Sequence, residues 1–346
     1  MSELVLVANA ADSTISTFRL TGGEREPSLE RIAVSEVGQG CGTFVIDADR
    51  DLVYAAAKGD PPGIDVFAVD RETGRLEHLS RTDVEASMTY LALAHGGSLL
   101  VGASYGGGSA HVFGVDGDGH VDDPTASVSW PNAHCVALAG GGRQLYVVSL
   151  GGDVVAQYAL SPAGGLSPLA PPTAGAPEGS GPRHLVLDED ESHAYVLTEF
   201  SGEALTYRRD ASGDLLLEGQ TPAYAQDRGL RHSELGADPV EGHLVWGADL
   251  HLARGGSFLL ASERSESTLA SLPVLADGSL GEPVSMIGTV AQPRGFAVLG
   301  GGTLAVVAGE KDTDVALVSV GADGALTELG RYDTGAGANW VRALPL

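Results

Sequence analysis

Residues 181–210 read GPRHLVLDEDESHAYVLTEFSGEALTYRRD. Three apolar runs, RHLVL, AYVLT and EALTY, follow one another across turns rich in Asp, Glu, Ser and Gly, and each is too short for a helix. The pattern is a meander of β-strands. Two residues stand outside it: Arg183 heads the first run and Glu199 closes the second, where neither helps a strand pack. What they are for depends on how often the unit recurs, because a period of roughly 20 to 50 residues dictates a whole architecture.

The unit recurs seven times. Its central hairpin reads LVLVANAADSTISTFRL from Leu4, LVYAAAKGDPPGIDVFAVD from Leu52, LLVGASYGGGSAHVFGVD from Leu99 and LYVVSLGGDVVAQYAL from Leu145. It returns as AYVLTEFSGEALTYRRD from Ala194, LLASERSESTLASLPV from Leu259 and LAVVAGEKDTDVALVSV from Leu304. Successive starts lie 48, 47, 46, 49, 65 and 45 residues apart, so only the fifth interval carries an insertion, at about residues 222–245. Turns such as RETGRLEHL, SPAGGLSPL and ADGALTEL lead into a third strand. A further short strand precedes each hairpin: TFVID, TYLAL, HCVAL, RHLVL, DLHL, RGFAV and WVRAL. The unit at Leu4 has none before it, whereas the chain ends on a spare one in NWVRALPL.

Four strands per unit and seven units predict an all-β, seven-bladed β-propeller of antiparallel blades. The C-terminal strand is expected to complete the N-terminal blade, closing the ring and removing open sheet edges. Residues 1–346 then form one domain, and the 49 glycines suit its many tight turns. Helix-length amphipathic patterns, which an α/β fold would need between strands, are nearly absent.

Bulk composition excludes several functions. The net charge of −26 repels nucleic acid and anionic membrane surfaces, and no run approaches the roughly 20 apolar residues of a membrane span. The start, MSELVLVANAAD, lacks the charged, apolar and cleavage regions of a secretory signal, so the expected compartment is the cytoplasm. Cys41 and Cys135 are too few for a disulfide framework or a four-cysteine zinc site and read as buried thiols. Lysine is scarce: Lys58 and Lys311 are the two among 20 basic residues.

In a propeller the strand nearest the axis opens onto one shared channel. Aligning those strands at their entry places Thr43, Thr89, His134, Arg183, Ala248, Arg294 and Trp340 at equivalent positions, and the turn after the next strand superposes Ala10, Glu199 and Arg264. Arginines gathered this way would focus a small anionic ligand. His184, Asp249 and His251 invite a metal reading, but strand alternation turns Arg183 and His184 to opposite faces, and a hydrogen-bonding role is expected for the three. Neither HExxH, GxSxG nor a phosphate-binding loop occurs.

The pieces GPRH (181–184), LTEF (197–200), WGADLHL (246–252), ASER (261–264), QPRGF (292–296) and NWV (339–341) make the chain resemble the seven-bladed propeller lactonases, among them propeller-type 6-phosphogluconolactonases and fungal carboxy-muconate lactonizing enzymes. The resemblance spans nearly the whole chain. It implies a metal- and cofactor-independent enzyme with His134, Arg183, Glu199 and Arg264 as its catalytic set; a closed ring, for its part, is expected to be a monomer. Arg294, Trp340, Thr89 and Thr43 join the set as substrate-binding residues. Glu263 stands where relatives often carry Asn or Asp. The implied reaction is hydrolysis of a sugar lactone resembling 6-phosphogluconolactone: the arginines hold an anion and the developing oxyanion, and Glu199 or His134 moves the proton. Run backwards, the same groups would form a lactone, as a muconate-type cycloisomerase does. A non-catalytic binding scaffold is a further alternative, since fold does not fix function.

Overall fold

The computed structural model describes residues 2–23 and 26–346. It contains seven four-stranded antiparallel sheets. Six are built from consecutive strands, and the seventh joins the C-terminal strand, Ala338–Pro345, to the first strand of the chain, Glu3–Asn9. We number the blades 1 to 7 in chain order, with blade 1 carrying that closure. The expected closure is therefore present, strand for strand.

Packing explains why seven such weak units hold together. Each blade's second strand is buried along its length save for a half-buried first residue in blades 4 and 5, as in LVYAAA (Leu52–Ala57) and LLVGAS (Leu99–Ser104). Successive side chains of a strand face opposite sides, so one strand feeds two interfaces. Val5 and Val7 pack toward Val306 and Leu317 of blade 7, whereas Leu4 and Leu6 pack toward Val53 and Phe67 of blade 2. Among the described residues most buried apolar side chains fall into seven clusters, one between each pair of neighbouring blades. Alternating apolar and polar residues return on the outermost strands, such as LEHLSRTD (Leu76–Asp83), which meet solvent.

Helix is confined, among the described residues, to a four-residue turn of α-helix at Pro239–Gly242 and a short 3-10 segment at Gln226–Arg228. Both lie in the insertion between blades 5 and 6, where Asp238 caps the α-helical turn by accepting from Val240 N and Glu241 N. The insertion packs back on blade 6 through Ser265 Oγ to Leu244 O and Arg228 to Glu266.

Candidate active site

The inner strands of blades 1, 4, 5, 6 and 7 begin with an irregularity in register, whereas those of blades 2 and 3 pair regularly with their neighbours. In blade 5 Pro182 pairs with Thr198 and His184 with Leu197, so Arg183 is an extra residue, a β-bulge. The same skip isolates His134 in blade 4, Arg294 in blade 7 and Asn339 in blade 1. Sequence explains part of this. Pro182 and Pro293 lack the N–H that a regular ladder would use. Two residues before the bulge the chain turns left-handed, at Asn132, Gly181, Gln292 and Gly337.

The second ring comes from the residue that follows each blade's second strand, after Ala57, Ser104, Thr198, Glu263 and Gly309. From the bulge residue, or the residue just before the regular inner strand of blades 2 and 3, to this one is 16 residues in six blades: Gly42 to Lys58, Thr89 to Tyr105, His134 to Leu150, Arg183 to Glu199, Ala248 to Arg264 and Arg294 to Glu310. Two stacked rings thus surround one mouth of the channel. They enclose a cavity of about 250 Å³ lined by Lys58, Thr89, Tyr105, His134, Arg183, Glu199, Trp246, Arg264 and Arg294, with Gly42, Ser87, Met88 and Gly106 filling its wall.

Glu199 is the centre of the charge pattern. Its Oε2 accepts from Arg183 Nε at 2.8 Å and from Arg264 Nη2 at 3.1 Å. Its Oε1 has no hydrogen-bond partner among the described residues, on a side chain that keeps 15% of its surface exposed. Burial would raise the Glu199 carboxyl, but Arg264, Arg183 and Arg294 outweigh it and hold it below the usual range. Arg264 stacks over Trp246, its Cζ 3.7 Å from the ring centroid. Burial lowers its pKa to about 9, with Arg183 and Arg294 adding to the shift and Glu199 opposing it, so the guanidinium stays charged at neutral pH. Arg294 pairs with Glu310 at 2.7 Å, and Arg264 lies 3.9 Å from the same carboxylate. His134 is neutral, because burial and then Arg183 and His184 push its pKa well below that of free histidine. Its Nδ1 is buried without a partner.

Of the residues expected from sequence, His134, Arg183, Glu199, Arg264, Arg294 and Thr89 share this cavity. Thr43 and Trp340 do not. Each lies one residue too far along: Asn339 is the bulged residue of blade 1, and in blade 2 it is Gly42, just before the regularly paired strand that starts at Thr43, that lines the cavity. Thr43 is fully buried. Trp340 is 2% exposed, donates its indole N–H to Phe44 O, and packs edge-to-face on Tyr90 and His184. Tyr90 and His184 also meet edge-to-face, so the three rings pack on one another.

Arg183 lines the cavity and His184 does not, as strand alternation expects, yet the guanidinium reaches back so that Arg183 Nη1 lies 3.2 Å from His184 Nε2. His184, Asp249 and His251 are bonded to one another, as the hydrogen-bonding reading held. Lys58, Tyr105, Trp246 and Glu310 escaped the sequence reading, although completing the 16-residue spacing in every unit finds all but Trp246. Glu263 faces away from the cavity chemistry: it accepts from the backbone N–H groups of Trp246, Ser265 and Glu266, tying down the turn that presents Arg264. No residue of the 222–245 insertion lines the cavity. At the opposite mouth, where the inner strands end, a wider opening of about 570 Å³ has a wall of Gly, Leu, Ala and Val with Glu189, His251 and Arg342. It lacks a comparable cluster of paired charges.

Comparison with known proteins agrees with this geometry. A family model described as lactonase, 7-bladed beta-propeller, matches residues 5–343. The 6-phosphogluconolactonase of Enterobacter sp. (strain 638) is 26% identical over 349 residues, with 99% of this chain and 98% of the relative covered. That of Sodalis glossinidius is 27% identical over 347 residues, covering 99% of both. Among solved structures, the periplasmic gluconolactonase of Pseudomonas aeruginosa matches with a TM-score of 0.86 at 23% identity, over 100% of this chain and 99% of that one, a likeness of fold. The chain belongs to the seven-bladed β-propeller lactonase family.

Proposed function

We propose that the protein hydrolyses a small anionic lactone in the cavity around Glu199, with a phosphorylated sugar lactone resembling 6-phosphogluconolactone as substrate. One observation carries the reading. Lys58, Arg183, Arg264 and Arg294 converge on two carboxylates, Glu199 and Glu310, leaving two positive charges uncompensated in a protein of net charge −26. That surplus matches a phosphate monoester dianion. The names of the curated relatives support the lactone, and the field of the cavity supports the phosphate.

The chemistry follows from which groups are charged. Glu199 is held ionised and offers Oε1 to a water, taking its proton as the water oxygen adds to the lactone carbonyl carbon. Arg183 uses Nε and Nη1 on protein partners, which leaves Nη2, among the described residues, as the donor for the oxyanion. Arg264 adds its charge on the same side. Preorganised donors of this kind contribute about 3–4 kcal/mol each to similar reactions. Collapse of the tetrahedral intermediate breaks the bond to the ring oxygen, which leaves as an alkoxide and takes the proton back from Glu199. Neutral His134 hydrogen-bonds the departing oxygen. Lys58 and Arg294 hold the phosphate on the opposite wall.

The test is a proton-release assay of the purified protein with freshly prepared 6-phosphogluconolactone and gluconolactone, corrected for spontaneous opening. Saturable acceleration, stronger for the phosphorylated lactone, is expected. No acceleration of either, together with turnover of a cis,cis-muconate, would replace hydrolysis by cyclisation. Inertness toward all three would leave a binding scaffold.

A further inference from the structure

Behind Arg183 a line of hydrogen bonds crosses the propeller and takes no direct part in the proposed reaction. Arg183 Nη1 lies 3.2 Å from His184 Nε2, His184 Nδ1 lies 2.7 Å from Asp249 Oδ1, and Asp249 Oδ2 lies 3.2 Å from His251 Nε2. Arg183, His184 and Asp249 are all at most 3% exposed, whereas His251 is 24% exposed and borders the opposite mouth. The line therefore runs from the cavity at one mouth to the opening at the other.

The direction of each bond can be deduced. Asp249 also accepts from the backbone N–H of Leu250 at 3.0 Å and of Phe296 at 3.1 Å. With two backbone donors aimed at it, its carboxyl is an ionised acceptor, and the imidazole bonds hold it well below the usual range although burial alone would raise it. An ionised carboxylate only accepts, so His184 must carry its proton on Nδ1. Burial and Arg183 keep His184 singly protonated, with a pKa lowered to about 4. Its Nε2 is then a lone pair, facing an Arg183 N–H. The opposite tautomer would set two N–H groups against each other.

We propose that Asp249 and His184 are positioning residues: Asp249 selects the Nδ1–H tautomer of His184, and the free Nε2 locks the plane of the Arg183 guanidinium so that Nη2 points into the cavity. Ala248 O accepts from the same Nη1 and completes the clamp. The role as oxyanion donor rests on the lactonase reading, but the lock itself does not. Such partners of a functional group typically change activity about 10- to 100-fold when removed, because a small misplacement of a reacting group is enough.

Two measurements on full-length, 15N-labelled protein test the lock without substrate. Long-range 1H–15N correlations of His184 at pH 7 are expected to show a protonated Nδ1 and a bare Nε2; the reverse pattern overturns the proposal. The Arg183 Nη signals are expected to be resolved by slow rotation in the native protein and in His184→Gln, whose amide oxygen can accept the same hydrogen bond. They should merge in His184→Phe, and equal resolution in all three overturns the lock. In the lactone assay, His184→Phe and Asp249→Asn should lose about 10- to 100-fold in kcat with KM held within about twofold, and His184→Gln should recover most of the loss. Parallel losses in Phe and Gln variants would reduce His184 to packing. A native protein inactive on lactones would sink the proposed reaction, while the spectra would still decide the lock.

Discussion

Arg183 is 1% exposed and yet charged, which burial permits only where the charge is paired and hydrogen-bonded. Glu199, His184 and Ala248 O supply those partners. Lys58 is the opposite case. It stands exposed at the cavity rim without a salt bridge among the described residues, and burial of its stem together with Arg294 lowers its pKa. It sits on blade 2, three blades from Arg183 and Glu199 of blade 5 one way round the ring and three from Arg264 of blade 6 the other way, and so faces the reacting centre across the mouth. Lys58→Met is expected to raise KM about tenfold for 6-phosphogluconolactone and to leave gluconolactone hydrolysis within about twofold, since a charge-assisted bond contributes about 1.5–3 kcal/mol. Steady-state kinetics on the two lactones checks this, and equal effects on both would move Lys58 from phosphate binding to the reaction itself.

At the scale of strands, the decisive feature is the bulge that starts the inner strand. Gly181 shows what it requires. Its φ is +64°, its N–H donates to Asp153 Oδ1, its carbonyl accepts from Glu199 N, and an added Cβ would come within 2.5 Å of the Phe200 ring. Gly181→Ala should therefore cost about 1–3 kcal/mol in denaturant unfolding and lower kcat by displacing Arg183 and Glu199 together. The strands themselves were legible from apolar runs and turn residues, because burial on both faces leaves an unmistakable pattern. The bulges were not. A one-residue slip flips a side chain to the other face, and the entry of an inner strand has no alternation long enough to reveal it. Hence the alignment puts Thr43 and Trp340 at the mouth, whereas Gly42 lines it and the bulged residue of blade 1 is Asn339. The constant spacing of 16 residues was present in the sequence and resolves the slip, because Gly42 and Lys58 obey it where Thr43 does not.

For the whole molecule, closure is what turns seven marginal sheets into a domain. The last strand contributes Val341 to the cluster between blades 7 and 1, and Trp340 and Leu344 to that between blades 1 and 2. Removing residues 338–346 should abolish the cooperative thermal transition rather than shift it, and a melt of near-native amplitude would show that blade 1 stands without its inner strand. The buried histidines give the fold a pH dependence. His134 and His184 have folded pKa values below that of free histidine, so below about pH 6.5 the unfolded chain binds more protons than the native one. Stability is full above that pH and falls as pH drops toward about 4, by up to about 3 kcal/mol for His184. Thermal melts of His184→Gln should show a shallower acid slope than the native protein.

The ring brings together arginines and a carboxylate from distant parts of the chain, and Glu199 is where they meet. The most direct measurement is kcat for 6-phosphogluconolactone in Glu199→Gln, with folding verified by its melting curve. A loss of about 100- to 10,000-fold at neutral pH is predicted. A folded variant that keeps the native rate would contradict the account.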